Sequence, residues 1–109
     1  MKIEDVTFSV VDWSQVPPTK HPGETGMALW RTVEAGNIRV RMVEYSPGYR
    51  ADHWCSRGHV LLVLKGELFT ELQNGECHLL KPGQSYHVAE GAMPHRSRTE
   101  TGATLFIAD

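Results

Sequence analysis

Three histidines and one cysteine have the types and spacing of a metal-binding group. His53 and Cys55 are two residues apart, so on an extended strand both side chains point to the same face. His59 follows four residues later, and a hairpin between the two segments would bring these side chains together. A transition metal needs ligands from at least two chain segments, and His95, just after Pro94, is the best candidate for the fourth.

Such a set of three imidazoles and one thiolate predicts a particular class of metal. Thiolate is a soft ligand and imidazole suits zinc, copper, nickel and iron, whereas magnesium and calcium prefer oxygen. We therefore expect a divalent transition metal as cofactor. Zinc or nickel is favoured, with iron or copper also possible.

The same residue types also have purely structural roles. A single histidine in a strand is more often hydrogen-bonded or exposed than a ligand, and we assign that role to His21, His78 and His87. A cysteine commonly behaves as a small hydrophobic residue, which is the role expected for Cys77. Because two cysteines are too few for a disulfide scaffold, Cys55 and Cys77 are expected to be free thiols.

Three residues are candidates for the wall of a cavity beside the metal. Glu44 ends the strand before the histidine-rich segment, where it is either an acid-base group or a solvated strand end. Tyr86 and His87 are neighbours on one strand, so one of them faces inward, and the pattern does not decide which. Arg96 and Arg98 are expected to point outward, opposite to the histidine of the same strand.

The elements that position these residues are predicted to be short strands. Glycines from Gly36 to Gly102 recur every 8 to 12 residues, a spacing of turn signals typical of a β-sandwich or barrel. We predict an all-β domain of nine or ten strands with little or no helix. The main predicted strands are 27–33, 38–45, 59–64, 68–73, 76–80, 85–88, 95–99 and 104–108.

Three segments carry more specific expectations. In residues 38–45, apolar residues alternate with Arg39 and Arg41, which is the two-residue period of a strand with one wet face. Residues 59–64 are apolar on both faces after the first, as in a central strand covered on each side. Residues 17–23 contain three prolines and are predicted to form a loop.

Length and charge limit the classes of function. A chain of 109 residues fits one domain, which we divide into an N-terminal arm (1–25) and a barrel (26–109). The 11 basic and 13 acidic residues form no block of one sign, which argues against a nucleic-acid partner. No apolar run approaches the ~20 residues of a membrane-spanning helix, and the N-terminus lacks the apolar core of a secretion signal. We therefore expect no membrane partner and a cytoplasmic location.

Two segments resemble the motifs of the cupin family. The first reads Gly48-x4-His53-x-Cys55-x3-His59-x6-Gly66 and resembles the first cupin motif, Gly-x5-His-x-His-x3-4-Glu-x6-Gly. Residues 82–95 resemble the second motif, which supplies the remaining histidine. The chain departs from the family pattern because a cysteine and a histidine stand where many cupins have histidine and glutamate. It also resembles small bacterial single-domain cupins with an Asp-His-Cys-Trp motif, in the stretch Asp52-His53-Trp54-Cys55.

The resemblance implies a cupin-like jelly-roll β-barrel, a double-stranded β-helix with one metal in its mouth. It implies a small-molecule ligand or substrate and a metal-dependent enzyme of the dioxygenase, isomerase or lyase type. The alternatives are a non-catalytic ligand-binding module and a redox sensor in which Cys55 leaves the metal on oxidation. Cupins commonly dimerise through N-terminal strands, so the resemblance also implies a homodimer in which residues 8–13 cross to a partner.

Overall fold

The computed structural model describes all residues, 1–109, and contains nine strands and one 3₁₀ turn. This confirms the predicted all-β class and the number of strands. The elements are the 3₁₀ turn Trp13–Gln15 and the strands β1 (Thr19–Pro22), β2 (Met27–Ala35), β3 (Ile38–Tyr45), β4 (His59–Gly66), β5 (Leu68–Leu72), β6 (Cys77–Leu80), β7 (Ser85–Val88), β8 (His95–Arg98) and β9 (Ala103–Ala108).

The strands form two antiparallel sheets that share one core. The larger sheet has the order β1-β2-β3-β9-β4-β7 and the smaller has the order β6-β5-β8. The fully buried side chains come from both sheets: Val43, Leu61, Val63, Leu68 and Leu105. Burying each such side chain stabilises the fold by roughly 1.5–3 kcal/mol. The arrangement is the predicted jelly-roll barrel, with side chains of alternate residues pointing into it.

The inward face of β3 is opposite to the one expected from its sequence. Arg41 and Val43 are buried and point inward, whereas Met42 lies opposite Phe106 on the outer face of the sheet. The outer face is itself partly covered, because Trp13 packs edge-on against Phe106 with ring centroids 6.3 Å apart. The two-residue period was predicted correctly, but the wet face was wrong because alternation alone does not show which face is covered.

The strand β4 is covered on one face only, which corrects the second expectation. It lies inside the larger sheet between β9 and β7, and its inward residues Leu61 and Val63 are buried. The outward residues Val60 and Leu64 are exposed. The smaller sheet packs against the inner face of β4 and leaves the outer face in contact with solvent.

The expected loop at residues 17–23 contains the edge strand β1. Thr19–Pro22 pairs antiparallel with β2 at the margin of the larger sheet. A proline is compatible with this position because an edge strand has no second neighbour that needs its N–H.

The N-terminal arm leaves apolar side chains in solvent. Before the 3₁₀ turn it has no regular element, and Phe8 and Val10 are exposed. The crossing of residues 8–13 to a partner stays a prediction. No helix in the structure has the length and apolar character needed to span a membrane.

Candidate metal centre

Cys55, His59 and His95 converge inside the barrel. One ligand atom from each, the cysteine Sγ and one nitrogen of each imidazole, lies within 4.8 Å of the other two. His59 is the first residue of β4 and His95 is the first residue of β8. Cys55 reaches them through a backbone bridge, because its N–H donates to the His95 carbonyl at 2.7 Å and the His95 N–H donates back at 2.9 Å. Such a directly opposed antiparallel pair places the two side chains beside each other.

The orientation of His95 is set by the backbone of a nearby loop. Its Nδ1 lies 2.8 Å from the carbonyl oxygen of Met93. Because a carbonyl can only accept, Nδ1 carries the proton, and in the neutral ring Nε2 presents a lone pair. That Nε2 lies 3.1 Å from the Nε2 of His59. A hydrogen bond that fixes the tautomer in this way is the usual second contact of a metal-binding histidine.

His59 is buried and neutral at physiological pH. Its side chain is 6% exposed. Burial, together with the neighbouring His95, lowers the pKa of His59 to about 4. Its Nε2 lies 2.9 Å from the Tyr86 hydroxyl, and its buried Nδ1 has no hydrogen-bond partner. The nearest acidic atom to that Nδ1 is the Oδ2 of Asp109, 3.8 Å away.

Cys55 and His95 favour each other's charged forms. A hydrogen bond from His95 lowers the pKa of the half-buried Cys55 thiol. The same contact raises the pKa of His95. Thiolate is the form of cysteine that binds metals, so the contact favours the cysteine species that a metal ion requires. The imidazolium form of His95 must lose its proton before His95 can bind the ion.

The structure does not bring His53 to this group. Its side chain is 78% exposed, and its Nδ1 lies 2.6 Å from the Asp52 carboxylate. His53 does line the same cavity as the three converging residues. Of the four ligands expected from the sequence, three therefore meet and the fourth lies at the rim.

Of the three residues proposed for the cavity wall, only Tyr86 faces the cavity. Tyr86 is partly buried and lines the cavity, which answers the question left open between it and His87, whose side chain is exposed. Glu44 is also exposed and is not among the lining residues. Its neighbour Tyr45 faces inward instead, where it stacks on Tyr49 with ring centroids 4.1 Å apart.

The other histidines and the second cysteine lie outside the centre. His21 stacks on Trp30 with ring centroids 3.8 Å apart, and the exposed His78 lies 3.3 Å from Glu76. Cys77 is an exposed free thiol, which corrects the expectation that it packs in the interior. β6 is an edge strand of the smaller sheet, so little covers its outward side chains.

Arg96 and Arg98 bind an acidic residue on the smaller sheet. Their Nε atoms lie 3.0 and 2.9 Å from the Glu71 carboxylate. The Arg96 guanidinium also lies 4.3 Å from the ring centroid of Trp54. The expectation that both side chains point away from His95 agrees with these contacts, although Arg96 also contributes to the wall of the cavity.

The cavity beside the centre has a volume of about 330 Å³ and is rich in arginine.

Two important residues of this region were not identified from the sequence. Arg41 was assigned to a wet face, and Asp109 carried no signal because its partners are 68 and 70 residues away. The available signal for Arg41 was its shared alternation with Val43 and Tyr45, two residues of the types that fill cores.

The donors present fit a transition metal. One thiolate and two imidazoles are ligands that zinc and the neighbouring transition metals accept. The buried and unpartnered Nδ1 of His59, close to a carboxylate, resembles the outer contact that orients a ligating imidazole. Cys55, His59 and His95 therefore form a possible metal site.

No family model matches this sequence, and no curated protein matches it either. Solved structures do match. The chain is similar to a protein from Thermotoga maritima described as a predicted oxalate decarboxylase, with 16% identity over 92% of this chain and 96% of that chain and a TM-score of 0.78. It is also similar to an RmlC-like cupin from Shewanella frigidimarina, with 16% identity over 95% and 91% of the two chains and a TM-score of 0.75.

A third similar structure contains a metal. It is Fe(II)-HppE with the alternative substrate (S)-1-HPP, 17% identical over 99% of this chain and 62% of that chain, with a TM-score of 0.76. These similarities show that the chain has the cupin fold, as its two motifs predicted.

Proposed function

We propose that this cupin-fold protein holds one divalent transition metal ion through Cys55, His59 and His95 and acts through it on a small organic molecule. The observation that carries the proposal is the convergence of three donor atoms within 4.8 Å at the wall of a cavity. The donor set favours zinc or nickel, with iron or copper as the other candidates.

The protonation states of His59 and Cys55 support metal binding. A metal ligand must be deprotonated, so each bound proton weakens binding. His59 is already neutral at pH 7, and the Met93 carbonyl holds the proton of His95 on the nitrogen that faces away from the cluster. The lowered pKa of Cys55 makes its thiolate easier to form. His59 therefore has no proton to lose near neutral pH, whereas the raised pKa of His95 means that metal binding must displace the proton of its charged form.

The geometry favours an exchangeable position on the ion. Structural zinc sites are closed by four protein ligands, whereas catalytic sites keep a position for water or substrate. Three donors converge here, and the fourth expected donor, His53, points to solvent and to Asp52. When bound, the ion would supply Lewis-acid chemistry toward a carbonyl or a water molecule.

Tyr86 is placed to assist a molecule bound in the cavity. Its hydroxyl lies 2.9 Å from His59 Nε2, at the edge of the cluster. Burial raises the pKa of Tyr86, so the hydroxyl keeps its proton at neutral pH. We infer that it donates a hydrogen bond to an oxygen of the bound molecule once the metal occupies His59 Nε2.

Elemental analysis with cobalt substitution tests the metal site. We expect one equivalent of metal per chain, and a thiolate-to-cobalt absorption band in the protein reloaded with Co(II). Cys55→Ser should remove this band, and His59→Gln and His95→Gln should lower the metal content. Cys77→Ser and His78→Gln change the same residue types outside the cluster and should leave both readouts unchanged. Equal metal content in Cys55→Ser, His95→Gln and the unaltered chain would contradict the proposal.

A second candidate function follows from the position of Cys55. The thiol is both a member of the cluster and half-buried beside the cavity, where a small oxidant can reach it. Hydrogen peroxide would oxidise the thiolate to sulfenic acid and would itself be reduced to water. The neutralised sulfur would bind metal less well, so the protein would act as a redox sensor. Zinc release on peroxide titration supports this candidate, provided that Cys77→Ser releases zinc equally; retention of zinc after Cys55 is oxidised would contradict it.

A further inference from the structure

One side of the cavity carries an excess of positive charge. Three arginines surround the single carboxylate of Asp109: Arg39 through two hydrogen bonds of 2.9 and 3.0 Å, Arg41 through one of 3.1 Å, and Arg57 at 3.6 Å. All three arginines line the cavity beside the candidate metal centre. The three guanidinium groups outnumber the two nearby side-chain carboxylates, those of Asp109 and of Glu34, which lies opposite Arg39 on β2. The fourth lining arginine, Arg96, is already paired with Glu71.

Arg41 is the most deeply placed of these cations. Its side chain is 7% exposed, and its Nε is buried without a hydrogen-bond partner. The guanidinium carbon lies over the Trp30 ring, 4.5 Å from its centroid, in a cation–π contact. Its one hydrogen bond is the Nη2 contact to Asp109 Oδ2. Burial and the neighbouring Arg39 lower the pKa of Arg41, which means that its charge is poorly compensated.

A buried cation with unused donors is unfavourable unless a ligand pairs with it. The planar guanidinium has five N–H donors in a fork that matches a carboxylate. Apart from the arginines and the Cys55, His59 and His95 group, much of the cavity wall is aromatic or aliphatic, with Tyr45, Leu61 and Ile107 among its residues. A small molecule with one carboxylate and an apolar or aromatic body complements both parts of this surface.

The link to the metal centre passes through Asp109. Its Oδ2 lies 3.1 Å from Arg41 Nη2 and 3.8 Å from His59 Nδ1. Arg41 is hydrogen-bonded to this carboxylate, and the candidate ligand His59 lies next to it. A molecule anchored at the arginine would extend over the cluster, with the rest of its body facing the metal.

We propose that Arg41 binds the carboxylate of a small organic acid, and that this acid is the substrate or ligand held beside Cys55, His59 and His95. The inference rests on the proposed function for the metal part alone, because the arginine subsite is complete in the metal-free protein. Arg39 and Arg57 contribute charge, and Trp30 and Asp109 are positioning residues for Arg41.

Calorimetric titration with matched acids and amides tests the subsite. The probes are benzoate, pyruvate and oxalate, each compared with its neutral amide, on metal-free and nickel-loaded protein. We expect at least one acid to bind and its amide to bind at least about 10-fold more weakly. Arg41→Gln should weaken binding of that acid by about 10- to 100-fold, because a charge-assisted hydrogen-bond pair is lost. Arg41→Lys keeps the charge without the fork and should show an intermediate loss.

Arg98→Gln is the matched control. It removes the same charge from the outer face, where the guanidinium binds Glu71, and should leave acid binding unchanged. Equal affinity for acid and amide, equal acid affinity in Arg41→Gln and the unaltered chain, or no binding by any of the three acids would overturn the proposal. Binding of methyl phosphate but of none of the acids would overturn the assigned ligand class.

Two readouts keep this proposal separate from that of the metal. If Arg41→Gln does not fold, the acid and amide comparison on the unaltered chain and the Arg41→Lys variant still decide the result. Metal content is measured on the same samples. If the protein binds an acid but takes up no metal on reloading, the arginine subsite is supported and the proposed function is contradicted. If it takes up metal but binds none of the acids, the reverse holds.

Discussion

The Nε2 atoms of His59 and His95 lie 3.1 Å apart inside the barrel. The proton of His95 is held on Nδ1 by the Met93 carbonyl, so its Nε2 can accept a hydrogen bond or bind a metal. His59 brings its own Nε2 to the same point from the other sheet, and the Tyr86 hydroxyl reaches that atom as well. In the metal-free protein the two histidines and Tyr86 are in hydrogen-bond contact with one another, and a bound ion would replace those contacts.

Tyr86→Phe should tighten metal binding. In the metal-free protein the Tyr86 hydroxyl occupies His59 Nε2, and that hydrogen bond must break before the nitrogen can bind metal. A typical net value of 0.5–1.5 kcal/mol for such a bond predicts roughly 2- to 10-fold higher affinity without it. Competition titrations with a chelator dye measure the change. Weaker binding by the variant would show instead that the hydroxyl supports the ion.

The stability of the metal-free protein should fall as the pH is lowered from about 6.5 to about 4. His59 has a folded-state pKa of about 4, below its ordinary value of 6.5. In this window the unfolded chain binds a proton that the folded chain rejects, so the free energy of unfolding decreases as the pH falls. The His59 contribution is present above about pH 6.5 and amounts to roughly 1–3 kcal/mol.

Thermal unfolding in the presence of a chelator, followed from pH 7 to pH 4.5, measures this effect. His59→Gln removes the titrating group, so the stability of this variant should depend less on pH, by the amount that His59 contributes. Asp109 has a lowered pKa and contributes in the same direction in both proteins, so it cancels in the comparison. Identical slopes for the two proteins would contradict the assignment of a low pKa to His59.

Asp109→Asn should destabilise the fold strongly. The carboxylate is 2% exposed and is the shared partner of Arg39, Arg41 and Arg57. Its removal leaves the half-buried and buried guanidinium groups without compensation, a loss of roughly 3–5 kcal/mol. Chemical denaturation measures it. Glu100→Gln removes an acidic group that is 76% exposed and should change the free energy of unfolding by less than about 1 kcal/mol. A loss for Asp109→Asn as small as that expected for Glu100→Gln would show that the buried carboxylate does not stabilise the fold.

Gly66→Ala should be more destabilising than Gly83→Ala. Both glycines have positive φ, +75° and +88°, so alanine is strained by roughly 1–2 kcal/mol at either position. At Gly66 an added Cβ would also lie 2.0 Å from the Gly102 carbonyl oxygen, whereas at Gly83 it would meet no atom within 4 Å. We expect a total loss above roughly 3 kcal/mol at Gly66. Equal unfolding midpoints would contradict the close approach of the two strand ends.

Local patterns in the sequence determined the fold class and most of the candidate site. Turn signals, two-residue periods and the spacing of the histidines act over a few residues. They predicted eight of the nine strands, all but β1, and the convergence of Cys55, His59 and His95. The resemblance to the cupin motifs added the jelly-roll topology, which the similarity to solved structures shows.

The tertiary structure decided which faces are covered and which distant residues meet. Alternation along β3 is the same whichever face points inward, so only the packing of the second sheet and of Trp13 shows that Arg41 is buried. Asp109 meets Arg41 across 68 residues of sequence, a pairing that no local signal encodes. His53 has the spacing from Cys55 that is expected of a metal ligand, but in the folded chain its side chain points to solvent. The candidate metal ligands could therefore be identified from the sequence, whereas the arginine side of the cavity exists only because β3 and β9 pair in the folded protein.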